Sequence, residues 1–100
     1  MEIKIQSIHF DATEQLEAFI EKKVAKLEKS YEDIQKVEVQ LKVVKPATAL
    51  NKQTSMTVTI PGQAPVFVEK VNDTFEEGID LCVDSLKVHL QKIKGKSRNY

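Results

Sequence analysis

The segment KVEVQLKVV, residues 36–44, places the strongest constraint on the fold of this chain. Apolar and polar residues alternate along it, as in a β-strand with one buried face and one solvated face. Its apolar side consists of Val37, Val39, Leu41 and Val43. The alternation therefore predicts an antiparallel or mixed sheet that is covered on one face only.

Three other segments have strand character. The first, residues 2–10, alternates at Ile3 and Ile5 and changes phase after Ser7, which a β-bulge would explain. Residues 45–53 are a predicted loop. The sequences SMTVTI and VFVEKV, residues 55–60 and 66–71, predict two more strands joined by the turn PGQAP.

The first helix follows DATE, residues 11–14. Asp11 and Glu14 form a capping-box pair, although Thr13 is an alternative N-cap. Apolar residues then recur at helical spacing and predict an amphipathic helix of about 18 residues. The apolar stripe consists of Leu16, Phe19, Ile20, Val24, Leu27 and Tyr31.

The last helix is predicted to begin at a second capping-box pair, Asp73 and Glu76, and to end at Gly95. Its apolar stripe consists of Phe75, Ile79, Cys82, Leu86, Leu90 and Ile93. Residues 95–100 are expected to be a flexible tail.

These elements predict one α+β domain over residues 1–100, in the order β-α-β-β-β-α. The strand–helix–strand crossover makes the first two strands parallel, and hairpins make the others antiparallel. Two helices then pack on one face of a four-stranded mixed sheet.

Catalytic chemistry has little support in the sequence. His9 and His89 are isolated, and Cys82 lies on the apolar stripe of the last helix, where burial is expected. The three glycines are scattered, and no ligand spacing suggests a metal site, so we expect no cofactor, metal or small-molecule substrate. A single cysteine and the lack of any signal peptide or membrane span predict a cytosolic location without a membrane partner.

The last helix divides its charge. Residues 72–84 carry five acids and no base, whereas residues 85–100 carry five bases and no acid, in a chain of zero net charge. The favourable interaction of negative charges with the N-terminal end of the helix dipole accounts for the acids. The corresponding effect on positive charges is confined to the last turn, so it does not account for Lys87. One outward stripe of long donor side chains consists of Lys87, Gln91, Lys94 and Arg98.

The first helix adds Lys22, Lys26 and Lys29 on its outer side and Lys23 at the edge of its apolar face. Two such faces on the same side of a sheet suit the phosphate backbone of structured RNA. Acidic residues on the first helix leave a plain solvated face equally open. A protein-binding module whose charged helices pair with a partner protein is a further alternative.

Three stretches of the sequence resemble segments of the ribosome hibernation promoting factor and protein Y family. They occur in the same order and at the same spacing as in that family. They are TEQLEAFIEKKVAKLEKSYEDI, VEVQLKVVK and FEEGIDLCVDSLKVHLQKIKGK. The resemblance covers essentially the whole chain. It implies a β-α-β-β-β-α fold, similar to the double-stranded RNA-binding domain.

The resemblance also implies a function. Family members bind the small ribosomal subunit between head and body, contact 16S rRNA, and overlap mRNA and the A- and P-site tRNAs, so that idle ribosomes are stored. The basic positions carried over from the family are Lys23, Lys26, Lys42, Lys45, Lys92, Lys94 and Lys96. Geometry alone adds Lys22, Lys29, Lys87, Gln91 and Arg98.

The chain is similar to the short form of the family, because longer relatives carry a second domain that pairs ribosomes. Modulation of an alternative sigma factor is an older association of the family and one version of the protein-binding alternative. In the last helix, relatives often show Lys-Leu-x-Arg-Gln-Leu. Here Ser85 and Val88 replace the two cations, and Lys87 lies between them.

Overall fold

The computed structural model describes the backbone of residues 1–44 and 49–98 and the side chains of residues 1–44 and 49–93. Its elements in chain order are β1 (Glu2–Ile8), α1 (Glu14–Ala25), α2 (Leu27–Ser30), β2 (Lys36–Val43), β3 (Lys52–Thr59), β4 (Val66–Asn72) and α3 (Phe75–Arg98). The predicted α+β architecture is confirmed, with the first helix divided into two segments.

The four strands form one mixed sheet in the order β1-β2-β3-β4. β1 pairs with β2 in parallel, and the other two pairs are antiparallel. The helices cover one face, onto which β2 directs Val37, Val39 and Leu41, all of which are buried. The opposite face has no layer over it among the described residues.

Two strand boundaries differ from the predictions by more than one residue. β1 ends at Ile8 because His9 turns the backbone to φ 70°, so the change of phase marks the end of the strand rather than a bulge. β3 begins at Lys52 rather than Ser55. Thr54 occupies an inward position of β3 and is completely buried. Because threonine is polar, the alternation of apolar and polar residues is not visible in this part of the sequence.

Threonines cap both long helices. The Leu16 amide donates to the Thr13 hydroxyl over 3.1 Å, and the Glu77 amide donates to the Thr74 hydroxyl over 3.2 Å. The alternative cap Thr13 is therefore confirmed, and the predictions for Asp11 and Asp73 are wrong. The Asp73 carboxylate instead accepts the Leu50 amide at 2.7 Å, which ties the segment before β3 to the start of α3.

The core lies between the sheet and the helices. Ile20, Val24 and Leu27 meet Ile79, Leu86 and Leu90 there, and all six side chains are fully buried. α3 approaches β3 so closely that a Cβ on Gly78 would lie 2.6 Å from the Thr54 Oγ1 atom. A glycine at this position sets the distance between α3 and the sheet.

Candidate nucleic-acid interface

α1 and α3 run in the same direction across the sheet. β1, β2 and β4 are mutually parallel, so β1 and β4 end at the same edge, and each is followed by one of the long helices. The stacked rings of Phe10 and Phe75, with centroids 4.8 Å apart, join the two helix starts. Corresponding ends of the two helices therefore lie side by side.

Because the helices are parallel, their charge patterns add. α1 begins with Glu14 and Glu17, beside the acids that begin α3. Farther along, the lysines of α1 and α2 lie beside the basic half of α3. The helical face thus has an end that is mainly acidic and an end that is mainly basic, where Glu28 of α2 is an exception, although the net charge of the chain is zero.

An ion pair between the helices shows which side of α3 faces α1. The Lys23 Nζ atom lies 3.1 Å from the Asp80 Oδ1 atom. Seven residues are close to two helical turns, so Lys87 lies on the same side of α3 as Asp80, and Gln91 follows one turn later. Lys87 is half-buried and Gln91 is exposed. The two described residues of the predicted stripe, Lys87 and Gln91, therefore border the valley between the helices.

The lysines of the first helical segments lie where their spacing placed them. Lys22, Lys26 and Lys29 are exposed, whereas Lys23 is half-buried and paired. Lys26 is the junction of α1 and α2, where its amide donates to the carbonyls of Lys23 and Val24. Lys22, Lys26 and Lys29, together with Lys87 and Gln91, form a surface that we call the basic end of the helical face.

The remaining predicted residues are not all on this surface. Lys92 is exposed on α3, but it projects from the side away from α1. Lys42 is half-buried on the opposite, open face of the sheet. Lys45 lies outside the described residues. So do the side chains of Lys94, Lys96 and Arg98, whose backbone continues α3.

The open face of the sheet has a different character. A shallow groove of about 370 Å³ is lined by Lys4, Gln6, Glu38, Gln40, Ser55, Thr57 and Phe67, among others. The Phe67 side chain is 59% exposed. Lys36 donates a 2.8 Å hydrogen bond to Glu38, which lowers the pKa of that carboxyl. Charges on this face balance one another locally, unlike those on the helical face.

Features that would indicate enzymatic chemistry are few in the described part. Neither histidine lines the groove, and no group of three His, Cys, Asp or Glu residues among the described side chains has a metal-binding arrangement. Cys82 is buried as expected, and burial raises the pKa of its thiol to about 11. None of the described helices is long and apolar enough to span a membrane.

The architecture defines a small β-α-β-β-β-α domain with one open sheet face and a helical face that ends in a basic surface. The chain belongs to the sigma 54 modulation protein / S30EA ribosomal protein family, whose model matches residues 3–98. The family resemblance of the sequence is thereby confirmed.

Individual relatives agree with this assignment. A ribosome hibernation promoting factor of Pseudomonas putida is 29% identical over 99 residues, which cover 99% of this chain and 92% of the relative. The N-terminal domain of Thermus thermophilus Protein Y has a TM-score of 0.79 at 25% identity, over 93% of this chain and 99% of that one. A ribosomal subunit interface protein from Coxiella burnetii has the same fold, with a TM-score of 0.84 at 22% identity over 95% and 99%.

Proposed function

We propose that this protein is a ribosome-associated hibernation factor. It binds the small ribosomal subunit in the channel between head and body, contacts 16S rRNA, and blocks mRNA and the A- and P-site tRNAs. Family membership and the names of the relatives support ribosome association. The observation that carries the choice of surface is the parallel course of α1 and α3, which gathers lysines from three helical segments at one end of the molecule.

The mechanism is steric and involves no bond chemistry. Exposed lysines neutralise rRNA phosphates and release condensed counterions, and the folded domain then occupies the volume that tRNA and mRNA need. No cofactor takes part. We expect the protein in the cytoplasm with idle ribosomes, under stress and in stationary phase.

Within the described residues, the proposed contacts at the basic end of the helical face are Lys22, Lys26, Lys29, Lys87 and Gln91. Lys94, Lys96 and Arg98 extend the same helix and remain predicted contacts. Lys42 and Lys92 remain predictions that require a ligand reaching beyond the basic end of the helical face, and Lys45 remains a prediction outside the described residues. With roughly six phosphates neutralised, affinity should fall about a thousandfold between 50 and 200 mM salt.

Cosedimentation with separated ribosomal subunits tests the proposal. We expect binding to the small subunit at low salt, loss of binding at moderate salt, and displacement by excess tRNA. Absence of binding at low salt would refute the proposed function.

The protein-binding alternative, such as a sigma-factor modulator, predicts a different outcome in the same experiment. Capture would then depend on a partner protein and persist without ribosomal RNA. Binding to the small subunit that tRNA cannot displace would keep ribosome association but exclude occlusion of the tRNA sites.

A further inference from the structure

One lysine of the predicted interface already has an anionic partner. Among the described lysines of α1, α2 and α3, Lys23 alone forms an ion pair, with Asp80 of the neighbouring helix, and their closest atoms are 3.1 Å apart. Its ammonium also lies 5.4 Å from the centroid of the Phe19 ring. Two separate attractions therefore hold the Lys23 head group in the valley between α1 and α3.

The degree of exposure distinguishes this lysine from its neighbours. The Lys23 side chain is 29% exposed, and that of Asp80 is 49% exposed, so the carboxylate is the more accessible member of the pair. A phosphate that approached Lys23 would meet the Asp80 carboxylate beside it. Lys22, Lys26 and Lys29 are exposed, and no acid is paired with them in the described structure.

The pair also lies at the boundary between the two ends of the helical face. On the valley side of α3, Asp80 is followed two turns later by Lys87. Asp80 is thus the acid of α3 that is paired across the valley near this boundary, while Asp84 is exposed one turn farther along the helix. A paired acid at that boundary sets the edge of the surface available to phosphate.

We propose that Asp80 limits the affinity of this protein for RNA by holding Lys23 out of the set of phosphate-binding groups. This inference rests on the proposed function. A lysine that is paired with a carboxylate neutralises no phosphate and releases none of the cations condensed on the RNA, so Lys23 adds nothing to the salt dependence of binding. Asp80 is a positioning residue, and Lys23 joins the two helices in the wild-type protein.

The test is the salt dependence of binding to purified small ribosomal subunits. Asp80→Asn frees Lys23 with little change in shape. The slope of log affinity against log salt should become steeper by about 0.7–0.9, and affinity should rise roughly five- to tenfold near 100 mM salt. Lys23→Met, which retains an apolar stem over Phe19, should leave the slope of the wild type unchanged.

Asp84→Asn is the matched control. Asp84 is an exposed acid one turn beyond Asp80, and it forms no ion pair within the described part of the chain. It undergoes the same change of charge close to Lys87, so it reports the effect of removing a nearby acid that holds no lysine in an ion pair. Asp80→Asn in a Lys23→Met background should behave like Asp84→Asn.

Two outcomes would overturn this inference but not the proposed function. One is an equal slope of log affinity against log salt for Asp80→Asn and Asp84→Asn, and the other is a shallower slope for Lys23→Met than for the wild type. Failure of the wild type to bind at low salt would instead refute the proposed function and this inference with it. Thermal unfolding of each variant, and its amide NMR spectrum, verify that the fold is retained.

Discussion

Gly78 is the residue at which the packing of α3 on the sheet can be tested most directly. A methyl group there would lie 2.6 Å from Oγ1 and 3.2 Å from Cβ of the buried Thr54. Overpacking of this kind destabilises by about 1–3 kcal/mol, while the better helix propensity of alanine returns about 1 kcal/mol. We expect Gly78→Ala to reduce the free energy of unfolding by about 1 kcal/mol, measured by urea denaturation.

The Thr54→Ala background separates this contact from other effects of alanine. Removal of the hydroxyl should reduce the penalty of Gly78→Ala, because the nearest atom is gone. Gly62→Ala is the control, since Gly62 has φ 74° and no atom within 4 Å of the added carbon. Its penalty arises from backbone strain and should not depend on residue 54. An equal penalty for Gly78→Ala in both backgrounds would contradict the proposed contact.

Cys82 gives a prediction about pH. Burial raises the pKa of its thiol from 9.0 to about 11, so the folded state favours the neutral form. The unfolded chain loses this proton at lower pH than the folded chain does. The stabilisation is therefore complete below pH 9 and is lost as pH rises toward 11. Cys82→Ala should flatten the decline in unfolding free energy over this interval, and an unchanged decline would contradict it.

The choice of N-cap shows what a local sequence pattern leaves undetermined. Both helix starts contain an aspartate and a threonine within two residues of each other, and either side chain is a favourable cap. Tertiary structure decides at α3, because the Asp73 carboxylate accepts the amide of Leu50, a residue distant in sequence. The capping pattern alone contains no information about that contact.

At the level of whole elements, the extent of α3 differs from the prediction. Gly95 was expected to end the helix, but α3 continues to Arg98, so the glycine is a helix-interior residue. Glycine is tolerated in a helix at a cost of about 1 kcal/mol relative to alanine, and its presence does not by itself end one. The backbone of residues 95–98 is helical, and the expected flexibility of the tail stays a prediction.

The position of Gly95 leads to a test of the helix end. Gly95→Ala should stabilise the last turns by about 1 kcal/mol, which would appear as more helical Cα chemical shifts around residues 92–97. A left-handed cap at Gly95 would give the opposite result, because alanine is strained at positive φ. Less helical shifts in the variant would thus contradict the observed course of α3.

The division of the first helix into α1 and α2 could not be predicted from the sequence. Its apolar residues continue at helical spacing through Leu27, and no Gly or Pro interrupts them. At Lys26 the amide is shared between two carbonyls, and the Lys29 amide donates to the Lys26 carbonyl over 3.2 Å, which tightens the turn. Such a tightened turn leaves the apolar periodicity almost unchanged, so the sequence shows no sign of it.

For the molecule as a whole, the layers and the strand order were predictable. The spacing of apolar residues identifies each helix and strand, and strands that are neighbours in the sheet are also consecutive in the sequence. The candidate surface was predictable only in part. Spacing identified the exposed lysines, but the pairing of Lys23 with Asp80 joins residues far apart in the chain. Likewise, the placement of Lys42 on the open face follows from the sheet rather than from any charge pattern.

The central claim is that phosphates are bound at the basic end of the helical face. Lys26→Glu with Lys87→Glu removes two cations there and adds two anions. We expect binding to the small subunit at 100 mM salt to weaken about a hundredfold, since each phosphate contact contributes nearly tenfold at that salt. Lys4→Glu with Lys70→Glu makes the same change in net charge at exposed positions away from this end.

The decisive measurement is the dissociation constant of these two double variants for the small ribosomal subunit, beside the wild type and with folding verified by NMR. A large loss of affinity for the helical pair, with the control pair within about threefold of the wild type, is the predicted result. Equal affinities for the two variants would contradict the account and place the contact surface elsewhere on the molecule.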